Sequence, residues 1–125
     1  MGNRANIVIE QDSDMFPHPI YFYTHYDGSE IEQILKSALI RGRDRWDDPQ
    51  YLSRVIFCEM IKDDLNGVTG YGITTAIGDG GYKLLCVKMD EQKVRIRDSS
   101  DDITAKIIKE WTFEEFVRRR EEENG

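Results

Sequence analysis

The sequence predicts an α+β domain: a small antiparallel sheet, built from N-terminal strands and a meander in the C-terminal half, packed against two central helices with a short C-terminal helix. Three observations predict it. Strand-like runs gather toward the two ends of the chain instead of alternating one by one with helices. Residues 29–65 between them carry apolar residues at helical spacing. After residue 66, turn signals rich in Gly, Asp and Asn separate short β-type runs.

Taken in order, residues 4–10 (RANIVIE) and 20–26 (IYFYTHY) read as strands because β-branched and aromatic side chains dominate them. Pro17 and Pro19 make the connector between them a loop and protect a sheet edge. Asp27 and Gly28 end the second strand, and Ser29 with Glu32 has the spacing of a capping box. Ile31, Ile34, Leu35, Ala38 and Leu39 then form one buried helical face. That helix should stop near Gly42 or Trp46, since Asp48 followed by Pro49 is an N-cap with proline at the first helical position.

The second helix is expected over 49–65, closed by Asn66 and Gly67. Its apolar residues, among them Tyr51, Phe57, Met60 and Ile61, spread over so wide an arc that it should lie at the centre of the core or also face a partner subunit. The runs 72–78, 82–89 and 93–97 follow, with the glycine-rich 78–81 as a hairpin turn and Asp90 to Gln92 as a second turn. Segment 103–111 fits neither period cleanly. Thr112 with Glu115 makes another capping box for a helix carrying Phe113, Phe116 and Val117, and the charged residues 118–125 should fray.

At 125 residues, 39% hydrophobic and 33% charged, the chain can bury one core without staples. Its net charge of −7 repels phosphate backbones, which argues against general nucleic-acid binding. A local basic pocket could still hold an anion, because salt screens charges beyond about 8–10 Å. Cys58 and Cys86 lie in apolar runs, the setting of reduced, buried thiols in a reducing compartment. Residues 1–15 include Arg4, Glu10, Asp12 and Asp14 and resemble no signal peptide, and no run is apolar enough to span a membrane, so the cytoplasm is the expected address.

The chemical motifs are sparse. His18 and His25 stand in loop and strand-end settings, and a Cys–His nucleophile would need an adjacency that spacing does not supply. Glu59, Asp63 and Asp64 form an acidic helix end without the further ligands of a metal site. The glycines of 66–72 lead from helix to strand, the reverse of the order that cradles phosphate. Arg41, Arg43, Arg45 and Trp46 form a basic cluster in an acidic chain. Arginine forks grip phosphate and an indole stacks on a base, although cations at a helix C-terminus are also favoured on structural grounds alone.

The runs IYFYTHYDG, RGRDRWDDPQYLSRVIFCEMIKDD, GVTGYGI, VRI and WTFEEFV, in that order over residues 20–117, resemble a family of small proteins encoded by tailed phages and prophages of bacteria. The resemblance implies an accessory protein acting in the bacterial cytoplasm, and it transfers no catalytic residue. Such proteins suggest stoichiometric binding, to a host protein or to a host signalling nucleotide, as a way to blunt an antiviral response.

The expected function is therefore non-enzymatic: capture of a small anionic ligand such as a nucleotide, without cofactor or metal, by a homo-oligomer. The expected ligand site is Arg41, Arg43, Arg45 and Trp46 with Tyr23, His25 and Tyr71. The alternatives are an acidic inhibitor of a host macromolecule and a small hydrolase or nuclease. They differ in what should converge: arginines with aromatics, carboxylates on one face, or a Cys–His pair in a cleft.

Overall fold

A computed structural model describes residues 3–11, 18–77, 81 and 83–119. Its strands are β1 (Ala5–Glu10), β2 (Ile20–Thr24), β3 (Tyr71–Thr74), β4 (Leu84–Lys88), β5 (Lys93–Arg97) and β6 (Ile107–Thr112). Its helices are α1 (Ile31–Arg41), α2 (Pro49–Ile61) and α3 (Phe113–Val117), with 3-10 turns at Gly28–Glu30 and Arg43–Arg45. The α+β class is as expected: N-terminal strands, two main helices and a short C-terminal helix. Among the described residues no helix is long and apolar enough to cross a membrane.

The sheet differs from the expected one in its pairing. The six strands run in the order β3-β2-β1-β4-β5-β6, and β1 with β4 is a parallel pair in an otherwise antiparallel sheet. The expected meander over 72–97 is therefore broken: β3 pairs with β2 on one margin, whereas β4 lies beyond β1. The meander that forms is β4-β5-β6. The reason is burial. All of β4 (LLCVK) is buried, so it needs both faces covered and both edges paired, which only a central position provides. Tyr71–Thr74, half-buried at Tyr71 and Gly72 and exposed at Ile73 and Thr74, stays at the margin. Gly78 to Asp79 and Gly80, expected to form the hairpin turn, lie outside the described residues, as does Pro17.

One face of the sheet holds the main core. Ala5, Ile7 and Ile9 of β1, with Phe22, Leu85, Val87 and Val94, pack on Leu35, Ala38 and Leu39 of α1 and on Leu52, Ile56 and Met60 of α2. Alternate residues point the other way, where Val8, Tyr21, Leu84 and Cys86 form a second cluster partly covered by Ile77 and Ile103.

Helix α2 starts as expected, with the Asp48 carboxylate accepting from Tyr51 N–H at 3.3 Å and Pro49 following it. It ends at Ile61, four residues early. Its wide apolar arc is used within the chain: Phe57 meets Phe22 at 5.1 Å between ring centroids, and Val55 and Ile61 pack on the core. Tyr51 stays exposed. The Thr112–Glu115 capping box forms with both bonds, 3.0 Å and 2.8 Å. The segment that fitted neither period becomes β6, whose register shifts at Ile96/Arg97 so that Ile108 bulges from the margin.

The Ser29 capping box does not form. A 3-10 turn precedes α1, and Ser29 Oγ instead accepts from Asn3 Nδ2 at 2.8 Å. Glu32 is buried and is held by Arg119 Nη2 at 2.6 Å and by Lys83. Charge-assisted bonds to two cations outweigh a single bond to a backbone N–H. Gly28 is required at this junction, because a Cβ would stand 2.7 Å from Asn3 O and 2.8 Å from Arg4 O.

The cysteines are free but unequally placed, Cys86 buried in β4 and Cys58 half-buried on α2. Burial, followed by the neighbouring charge of Glu10, pushes the Cys86 thiol up to about 12. Thiol titration of native protein should therefore show Cys58 reacting first and Cys86 reacting only as the protein unfolds. Equal, rapid labelling of both would contradict this placement.

Candidate functional site

The basic cluster grows out of the C-terminal end of α1, and each member has a partner within the chain. Arg43 lies over the Trp46 ring at 4.5 Å and donates to Glu114 Oε1 at 2.8 Å. Trp46 Nε1–H donates to Leu39 O at 2.9 Å, and its ring meets Phe113 edge-on at 5.4 Å. Arg45 lies over Tyr51 at 5.1 Å, and Arg41 stands 3.6 Å from Glu59. The hydrogen bond from Arg43 holds the Glu114 carboxyl below its usual range. An anion arriving here would have to displace Glu59 from Arg41 and Glu114 from Arg43.

Tyr23, His25 and Tyr71 gather elsewhere, where β2 ends beside the start of β3. His25 N–H donates to Gly70 O, and His25 O accepts from Asn3 N–H, both at 2.8 Å, which anchors the histidine between β1 and β3. Arg4 Nε donates to His25 Nδ1 at 3.2 Å, and Tyr23 Oη lies 3.1 Å from the same nitrogen. An arginine N–H can only donate, so Nδ1 is the acceptor and the ring N–H is the one at Nε2. Tyr71 Oη donates to Asp27 Oδ2 at 2.7 Å. Burial and that carboxylate push the Tyr71 hydroxyl up to about 12, so it remains a donor at all physiological pH values.

Tyr26, which the sequence reading passed over, completes the patch. Its ring meets His25 edge-on at 5.1 Å and Tyr71 at 6.1 Å, and it is 54% exposed. Gly70 makes this possible. It sits at φ +93°, and a Cβ there would stand 2.4 Å from Tyr26 Cε2. The sequence signal was the clustering of aromatics in YFYTHY next to a Gly-Tyr-Gly segment, but their convergence depends on β2–β3 pairing.

The expected site is thus divided. The aromatic group lies at the N-terminal end of α1 and the arginine group at its C-terminal end, and an 11-residue helix is about 16 Å long. Neither group lines a pocket of about 350 Å³ where Lys83, Arg97 and Ser99 lie at the strand ends. There Lys83 is bonded to Glu32, and Arg97 to Ala105 O and Glu10. A second cavity of about 240 Å³ lies between β1, β2 and the start of α2, with His18, Gln50 and Ser53 in its wall.

Cys86 and His25 are not brought together. Cys86 stands opposite Val8, while His25 is bonded beside Asn3, five residues back along the chain and about 16 Å away at strand rise. Glu59 is engaged by Lys62 and Arg41, and among the described residues no three His, Cys, Asp or Glu side chains are grouped to hold a metal ion. No family model, curated protein or solved structure matches the chain.

Proposed function

We propose that the chain is a non-enzymatic accessory protein of phage type that captures a small anionic ligand with a planar ring, a nucleotide signal in the bacterial cytoplasm being the chemistry that fits. The binding patch is Tyr23, His25, Tyr26 and Tyr71, with Arg4 beside it. The observation that carries this reading is the His25 ring, whose Nδ1 accepts from Arg4 and whose Nε2–H is thereby a donor next to the exposed Tyr26 ring. Such a patch offers a stacking face, a ring N–H donor and a local cation within an acidic protein. The Arg41–Trp46 cluster then serves mainly to tie α1 to α3.

Calorimetric titration with mononucleotides, cyclic dinucleotides and ADP-ribose derivatives tests the proposal. Tyr26→Ala should weaken binding by about 1–3 kcal/mol, roughly 5- to 150-fold, which is the usual worth of one stacked base. His25→Ala should weaken it too, and Arg43→Ala should leave it unchanged. If wild-type protein binds none of these ligands, or Tyr26→Ala binds as tightly as wild type, the patch is not the site. An acidic interaction surface would then be the better reading.

A further inference from the structure

We propose that the free edge of β3 is a self-association surface, on which a second copy of this chain adds its own β3 antiparallel to extend the sheet across a twofold axis. This does not rest on the ligand reading. Among the described residues β3 pairs on one side only, with β2. In antiparallel pairs, hydrogen-bonded and non-hydrogen-bonded positions alternate. Because His25 N–H bonds Gly70 O at 2.8 Å, the backbone groups of Gly72 and Thr74 also face β2. Those of Tyr71 and Ile73 turn outward.

The two margins of the sheet are built differently. β6 carries Lys109 and Glu110 at its middle and the Ile108 bulge beside them. Antiparallel self-pairing centred on β6 would set Lys109 against Lys109 or Glu110 against Glu110, the like-charge arrangement that blunts an edge. Residues 65–77, which include β3, contain no charged side chain. They expose Leu65 at 66%, Val68 at 96% and Ile73 at 58%. Among the described residues this edge carries no charge, proline or bulge, and its one protection is the shortness of β3, four residues.

The segment is also complementary to itself. With the axis at Gly72, Tyr71 of each copy faces Ile73 of the other on the helix side of the sheet, an aromatic with β-branched pair, and no charge meets a like charge. The outward groups of Tyr71 and Ile73 form about four backbone hydrogen bonds across the axis. Of the apolar residues that the sequence singled out on α2, Phe57, Met60 and Ile61 pack in or on the core and Tyr51 stays exposed.

Sedimentation of the full chain at concentrations up to the order of 100 µM should show a dimer. Ile73→Lys should sediment as a folded monomer, because it places a charge beside the axis. Ile73→Pro should do the same by removing an outward N–H that β2 does not use. Should either variant lose its far-UV circular dichroism, amide exchange on wild-type protein decides instead: Tyr71 and Ile73 should be protected at high concentration and exchange rapidly on dilution. A wild-type monomer throughout the range, a folded Ile73→Lys that dimerises as well as wild type, or exchange at these amides independent of concentration would each overturn the proposal.

Discussion

Replacing Glu32 by alanine should destabilise the protein by about 3–5 kcal/mol, the usual loss when one partner is removed from a buried ionic cluster. Glu32 is 6% exposed and its carboxylate joins three parts of the fold. It accepts from Arg119 beyond α3 at 2.6 Å and from Lys83 at the entry to β4, while Lys36 of α1 donates to Arg119 O. The Arg119 guanidinium is stacked over Trp111 at 4.3 Å and Phe116 at 4.7 Å. Alanine would remove the carboxylate that both side chains bond. Against a total stability of about 5–15 kcal/mol, that loss is large.

Acid should produce the same weakening gradually. Burial alone pushes the Glu32 carboxyl up, but hydrogen bonds and charge from Lys83 and Arg119 outweigh it, and the group lies below its ordinary value of 4.5. A carboxyl lowered in the folded state contributes stability that is fully present above the unfolded value and is lost as pH falls through the folded one. Urea unfolding of wild type and Glu32→Gln at neutral pH and at about pH 3 isolates this part, because other carboxyls titrate in both proteins. The gap between the two should narrow in acid. A constant gap, or a loss below about 1 kcal/mol for Glu32→Ala, would show that the cluster contributes little.

Phe113→Ala should be about as damaging, at roughly 3–5 kcal/mol, the range for a phenylalanine removed from a packed core. Phe113 is 1% exposed at the first position of α3, fixed by the Thr112 capping box. Its ring supports Trp46, so the cavity would also loosen the turn that carries Arg43 and Arg45. A shift in tryptophan emission should accompany the lower urea midpoint. Arg43→Ala is the contrasting variant: its pair with Glu114 is solvent-exposed, so stability should barely change. Equal losses from both variants would mean that the charge pair, and not the aromatic packing, holds α1 to α3.

Both variants probe features whose legibility in the sequence differed. Phe113 was marked as core by the capping box and the Phe113, Phe116, Val117 spacing, because caps and helical period act within one or two turns. Glu32 was misread by the same logic. At three residues from Ser29 it matched a local box, but its actual partners are 51 and 87 residues away. The arginine cluster was visible as composition, yet Glu114, 71 residues from Arg43, determines what that arginine does.

By itself the sequence determined the α+β class, the Asp48–Pro49 helix start, the buried faces of α1 and α2 and the alternation of β5, all set by periodicities and caps that operate over a few residues. Only the tertiary structure decided that β4 runs parallel beside β1, that β3 is left at an uncharged margin, and that His25 meets Arg4 and Tyr26 while Arg43 meets Glu114. A glycine-rich turn signals reversal without naming the strand that follows as neighbour. Strand order and ionic partners are settled by competition for burial among segments distant in sequence, where the fully buried β4 takes the centre and each buried charge takes the counter-charge the fold brings to it.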